Sequence, residues 1–302
     1  MLLSIPVFRT VRLLNKKREE RGVSRVTIGN DASFFLCLNP MKGCRNMLFD
    51  THAHLNAIQY NDDLEEVIER ALEEGVTHTV VVGFDTETIT RAIELAEKYD
   101  FIYAAVGWHP VDAIDMKDED LKWIKELASH PKVVAIGEMG LDYYWDKSPK
   151  EIQKDVFRKQ IALAKEVQLP IIIHNRDATS DVVEILQEEN ASEVGGIMHC
   201  FTGSLEVAKQ CMDMNFYISF GGPVTFKNAK KPKEVAAQIP MDRLLIETDC
   251  PYLTPHPFRG KRNEPSYVKY VAEQIAELRE MDYAEFVRQT SDNAKRLFGI
   301  SR

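Results

Sequence analysis

The sequence has little of what would make it a disulfide scaffold, a zinc finger or a membrane protein. Its five cysteines (Cys37, Cys44, Cys200, Cys211 and Cys250) are odd in number and form no C-x-x-C pair. That argues against a stapled framework or thiolate zinc site and for a reducing, cytoplasmic setting. No apolar run approaches the roughly 18–20 residues a membrane span needs. No glycine-rich phosphate loop follows the first apolar run, as an open dinucleotide-binding sheet would require. No low-complexity tract or linker interrupts residues 47–302.

Positive charge is also scarce. The chain carries 38 Lys and Arg against 47 Asp and Glu, a net of −9. Residues 1–46 hold nine of those cations and only three acids, so the remaining body stands near −15. An acidic body offers no broad face for nucleic acid. A polyanionic substrate would have to be drawn in by local cations and metal ions.

Residues 1–46 show neither helical nor strand periodicity, and Met47 directly precedes the first strand-like run. A targeting segment, a flexible basic arm and an upstream extension from a misassigned start all fit. The misassigned start is the expectation, with the segment disordered if present. Finding residue 1 intact in protein made from the native gene would refute it.

From Met47 onward, eight short β-branched runs alternate with amphipathic stretches. The runs are 47–52, 78–84, 102–108, 133–140, 170–175, 196–201, 216–222 and 244–250. Apolar on both faces, they read as buried parallel strands. Between them, 63–74, 87–98, 118–129, 151–167, 179–189, 204–214 and 231–238 carry helical spacing, and a last helix covers about 266–297. Asp62, Thr86, Thr179 and Ser204 are placed to cap four of these helices. Eight such units predict a (β/α)8 TIM barrel over 47–302 as one α/β domain. An open doubly wound sheet is the alternative.

In such a barrel the working residues sit at the carboxyl ends of the strands. His52 and His54 end the first run, spaced to point to one side of a strand. Glu138 ends the fourth run, His174 the fifth, His199 the sixth and Asp249 the eighth. One histidine beside a strand is usually a core residue; four histidines and two acids at one rim predict a metal site. Nitrogen and oxygen donors without thiolate suit Zn²⁺, Mn²⁺, Fe²⁺ or, less well, Mg²⁺. Six ligands are too many for one tetrahedral ion and fit two divalent cations. Glu138 then bridges, with His52, His54 and Asp249 on one ion and His174 and His199 on the other. Two ions roughly 3.5–4 Å apart suit in-line displacement at phosphorus or carbonyl hydrolysis, with Asp249 taking the proton from the attacking water.

Other residues are less determined. His109, before Pro110, is a phosphate donor or a loop cap. Arg176 clamps a phosphate or forms a salt bridge with Asp177 or in the neighbourhood of Glu138. Arg259, Lys261 and Arg262 form a cationic lip or a solvated charge run. Tyr143, Tyr144 and Trp145 stack a base or pack the rim. His78 and His130 are expected in solvent or capping roles, and Cys200 and Cys250 as packing residues.

The motifs DTHAHL (50–55), GWHP (107–110), GEMGLDY (137–143), HNRD (174–177), HCFTG (199–203), ETDCPYL (247–253) and RGKRNEP (259–265) closely resemble the TatD family of metal-dependent deoxyribonucleases. The resemblance spans residues 47 to about 298. It implies a TIM barrel, hydrolysis of DNA phosphodiester bonds, and two divalent cations on His52, His54, Glu138, His174, His199 and Asp249. Where the wider amidohydrolase superfamily often bridges its metals with a carboxylated lysine, this chain offers Glu138. The expected substrate is single-stranded DNA or DNA ends. An amidohydrolase or lactonase acting on a small cyclic amide or ester is the rival enzyme, and a non-catalytic metal scaffold the third reading.

Overall fold

The computed structural model describes residues 47–300; the start-site and N-terminal extension expectations lie outside them. The chain folds as a (β/α)8 TIM barrel. The strands are β1 (Leu48–Ala53), β2 (Val76–Val82), β3 (Ile102–Val106), β4 (Val133–Asp142), β5 (Ile171–Arg176), β6 (Gly196–Met198), β7 (Phe216–Phe220) and β8 (Leu244–Ile246). Each pairs in parallel with the next. Beyond the β8 ladder the ring is drawn together by an Ala53–Cys250 bridge. His54 N donates to Cys250 O at 2.7 Å and Asp249 N to His52 O at 2.9 Å.

Alternation along the strands sorts their side chains into two packed layers. Leu48, Val81, Ala104, Ile136, Ile171, Ile173, Ile218 and Leu244 belong to the large core shared with the helices. Phe49, Val80, Val82, Ala105, Ile172, Ile197, Tyr217 and Leu245 form a second cluster that fills the barrel. Phe298 and Ala294 of the last helix join that inner cluster and plug its lower end.

The helices are α1 (Leu64–Glu73), α2 (Thr86–Lys98), α3 (Asp118–Leu127), α4 (Lys150–Val167), α5 (Thr179–Glu188), α6 (Leu205–Asp213), α7 (Lys230–Gln238), α8 (Val268–Leu278) and α9 (Tyr283–Phe298). The expected terminal helix is therefore two. Glu280 takes a positive φ of 52°, and Asp282 accepts from Glu285 N at 3.0 Å to start α9 afresh. Ser204 caps α6 as its spacing suggests. Asp85, one residue before Thr86, caps α2 through a reciprocal box with Thr88. Asp63 and Ala178 occupy the other two cap positions without a side-chain bond.

His78 does not sit free in solvent. Its ring stacks between Phe49 (5.1 Å between centroids) and Tyr103 (6.2 Å). Burial, reinforced by Lys295 and Lys132, pushes its pKa down to about 4.

Candidate metal centre

The cluster forms because strands β1, β4 and β5 and the turns after β6 and β8 all end at one mouth. His52 on β1 and His54, the residue just past its end, bring their Nε2 atoms to 3.1 Å of each other. Glu138 lies within β4 rather than at its end, since that strand runs on to Asp142. His199 follows β6, and Asp249 follows β8 in a left-handed conformation (φ 56°). That backbone turn leaves the ladder and swings the carboxylate inward. Close strand approach helps: a Cβ on Gly140 would lie 2.0 Å from the His174 carbonyl oxygen, so only glycine lets β4 and β5 meet there.

Glu138 is the hub. Its Oε2 lies 3.4 Å from His52 Nε2 and 3.8 Å from His54 Nε2. Its Oε1 lies 2.8 Å from His174 Nδ1, 3.1 Å from His199 Nε2 and 3.9 Å from His109 Nε2. Asp249 Oδ1 completes the other side, 3.5 Å from His54 Nε2 and 3.8 Å from His52 Nε2. His52 and His199 stack face to face at 4.0 Å. Three overlapping groups have donor spacing suited to a cation: His52, His54 and Glu138; His52, His199 and Asp249; and His109, Glu138 and His174.

The electrostatics couple the buried carboxylates to the imidazoles around them. Burial alone would raise the Glu138 pKa, but His199, His52 and His174 hold it well below the carboxylate range. Asp249 is likewise lowered against its burial by His54, His199 and His52. Burial should lower His54, His174 and His199, yet each is raised by the carboxylates it touches. His52 alone among these four is lowered, by burial and by neighbouring His199. Its Nδ1 is buried with no hydrogen-bond partner.

Two acids absent from the sequence-based site stand behind the histidines. Glu247 Oε1 accepts from His199 Nδ1 at 3.0 Å and Cys200 N at 2.7 Å. Asp142 Oδ2 meets His174 Nε2 at 2.9 Å, while its Oδ1 accepts from the backbone of Tyr144 and Trp145. His54 Nδ1 is fixed by Val82 O at 3.0 Å. A carboxylate or carbonyl behind a ligand imidazole sets its tautomer and orientation. The signal was available, because an acid inside an apolar strand must find a partner. Glu247→Gln should therefore weaken metal affinity about tenfold, the lower end of the range for such partners. A metal titration checks this, and an unchanged affinity would refute the assignment.

The substrate-side expectations are resolved unevenly. His109 turns toward the cluster, with Nδ1 accepting from Val111 N at 3.2 Å, so it caps the loop and presents Nε2–H inward. Burial beside His174 lowers its pKa to about 3, keeping it neutral. Arg176 does not pair with Asp177. Its guanidinium lies 3.8 Å over the Tyr144 ring and 5.8 Å from Trp145, both rings about half exposed. Tyr143 instead bonds Asp181. Arg262 is committed to Asp63 and to Gln59 O, whereas Arg259 stacks on Phe226. Cys200 lines the mouth rather than packing away from it, because the ladder has ended at Met198 and strand alternation no longer applies. Burial raises its thiol pKa well above the ordinary value, so it offers no thiolate. The mouth is a cavity of about 700 Å³ reaching from His54 and Glu138 out to Trp145, Arg176 and Leu253.

A TIM barrel with this mouth defines the metal-dependent hydrolase class. The chain belongs to the TatD-related DNase family, whose model matches residues 49–299. It is 78% identical over 255 residues to the uncharacterized metal-dependent hydrolase YabD of Bacillus subtilis, covering 84% of this chain and all of that one. It is 34% identical to the 3'-5' ssDNA/RNA exonuclease TatD of Erwinia tasmaniensis, covering 84% of this chain and 100% of that protein. The crystal structure of YJJV, a TatD homologue from Escherichia coli K12, superposes with a TM-score of 0.80 at 31% identity, covering 85% and 99% of the two chains.

Proposed function

We propose that the enzyme hydrolyses phosphodiester bonds in nucleic acid, with single-stranded or terminal DNA as substrate, using two divalent cations. The observation that carries this is Glu138, one buried carboxylate within 4 Å of five imidazoles. The residues fit such ions: the donors are nitrogen and oxygen, and the carboxylates are held ionised among the imidazoles. His52, His54 and Asp249 would hold one cation and His174 and His199 the other, with Glu138 between them. When bound, the pair supplies Lewis acidity toward a phosphoryl oxygen and acidifies a water.

The chain's own groups do the rest. Asp249, held ionised by the neighbouring imidazoles, would accept the proton from the attacking water. His109 Nε2–H is a neutral donor facing the same space and suits a phosphate oxygen. Arg176 uses its face on Tyr144, which leaves its in-plane N–H edge free for a bidentate phosphate contact. Trp145 exposes an indole face beside it for an unpaired base. Arg259 adds charge at the far rim. The relative named as an ssDNA/RNA exonuclease supports a nucleic-acid substrate.

The rival, hydrolysis of a small cyclic amide or ester, would use the same ions but has no need of cations at the rim. Incubating the metal-loaded protein with labelled single-stranded DNA and with a lactone panel separates the two. Cleavage of DNA that requires Mn²⁺ or Mg²⁺ is expected. Turnover of lactones without any of DNA would overturn the proposal.

A further inference from the structure

The loops after β7 and β8 differ in charge from the rest of the molecule. Residues 221–233 (GGPVTFKNAKKPK), the β7 loop together with the first turn of α7, contain Lys227, Lys230, Lys231 and Lys233, and residues 254–263 (TPHPFRGKRN) contain Arg259, Lys261 and Arg262. Neither stretch contains an acid. The loops are joined: Arg259 lies 4.5 Å over the Phe226 ring, and His256 N donates to Thr225 Oγ1 at 2.8 Å. Both open on the mouth, where Pro223 and Leu253 line the cavity.

Elsewhere many surface cations are paired, as Lys98 is with Glu65, Lys125 with Glu166, Lys165 with Glu193 and Arg158 with Glu188 and Glu189. In these two loops Arg262 pairs with Asp63. The other six have no carboxylate within 4.0 Å among the described residues. Five of the six, all but Lys233, are exposed. Like charges gathered without counter-charges repel one another, so the arrangement raises the free energy of the isolated protein and lowers it when a polyanion binds.

The opposite rim has the other sign. The loops after β2 and β3 and the first turns of α2 and α3 carry Asp85, Glu87, Asp112, Asp115, Asp118, Glu119 and Asp120. Lys147 answers Asp112 and Asp115 there. A cavity of about 700 Å³ is of small-ligand size, so a polymer with one phosphate at the cluster must continue over the rim. A polyanion leaving over the basic side gains attraction, and one leaving over the acidic side meets repulsion.

We infer that the β7 and β8 loops form a track for the sugar–phosphate backbone of a single strand, binding nucleotides beyond the one being cleaved. This rests on the nucleic-acid reading above. Contacts of this kind read charge and carry no base information, so the track predicts binding indifferent to sequence.

The test uses the metal-loaded enzyme and its Lys227→Gln/Lys230→Gln/Lys231→Gln variant, with thermal melting as a check on folding. Binding of a labelled single-stranded oligonucleotide is measured against salt. For single strands the log–log slope changes by about 0.7 per neutralised phosphate, so the variant should be shallower by roughly 2. The wild type should also favour a long oligonucleotide over a dinucleotide in kcat/KM, and the variant should lose most of that preference. Equal slopes and equal length preference in the two proteins would overturn the track. Binding of anionic phospholipid vesicles in place of oligonucleotides would overturn it too. If the wild type cleaves no nucleic acid, the proposed activity falls, while the binding slopes still decide the track.

Discussion

Glu138→Gln should cut turnover by at least about a thousandfold, equivalent to roughly 4 kcal/mol of lost transition-state stabilisation. The side chain it replaces is almost fully buried and ionised, and its two oxygens face different histidines: Oε2 toward His52 and His54, Oε1 toward His174, His199 and His109. Glutamine keeps the volume but replaces one oxygen with a donor amide. That group can coordinate nothing, and its N–H would confront whichever imidazole lone pairs face it. The charge that offsets the cations is lost at the same time. Metal content and turnover should therefore fall together, with the loss appearing in kcat. The barrel should survive, because none of the packed layers depends on this carboxylate. A folded variant with two metals per chain and normal turnover would end the bridging role.

The cluster of imidazoles and carboxylates was legible because its members coincide with the hydrophobic pattern. His174 ends a run, apolar on both faces, that reads as a buried parallel strand. The i, i+2 spacing of His52 and His54 reads as one side of a strand, and the two rings do meet although β1 ends between them. Glu247 and Asp142 escaped notice although they lie in equally apolar stretches. Their role is to orient another side chain, and His199 is 48 residues from Glu247. Arg262 shows the same limit at the surface: nothing in RGKRNEP reveals that Asp63, far back in sequence, is its partner. Cys200 was misread for a different reason. Period-two reasoning applies only while the ladder lasts, and β6 stops at Met198, leaving Cys200 at a positive φ of 43°. The break before α9 depends on Glu280 adopting a left-handed conformation, which glycine would have advertised and glutamate did not.

The charge balance at the mouth also governs stability, and this gives the second large effect. Stripping the protein with a chelator should abolish hydrolysis and lower the melting temperature by about 10 °C, with both restored by Mn²⁺ or Zn²⁺. A ligand at a hundred times its dissociation constant stabilises the folded state by about 2.7 kcal/mol per site, provided the unfolded chain does not bind it. Two such sites give roughly 5 kcal/mol, and a domain of this size shifts by about 2–4 °C per kcal/mol. The lower part of that product is expected, because the emptied centre can relax. His54, His174 and His199, each with a raised pKa, can take up protons beside Glu138 and Asp249 and replace part of the missing charge. Protons do not replace all of it, since a proton on one imidazole cannot be shared among ligands from five separate segments as a cation can. Melting followed with and without chelator, with elemental analysis confirming removal, decides the matter. Metal-free protein that melts at the same temperature and still cleaves DNA would show that the imidazoles and carboxylates at the mouth are merely a hydrogen-bonded core.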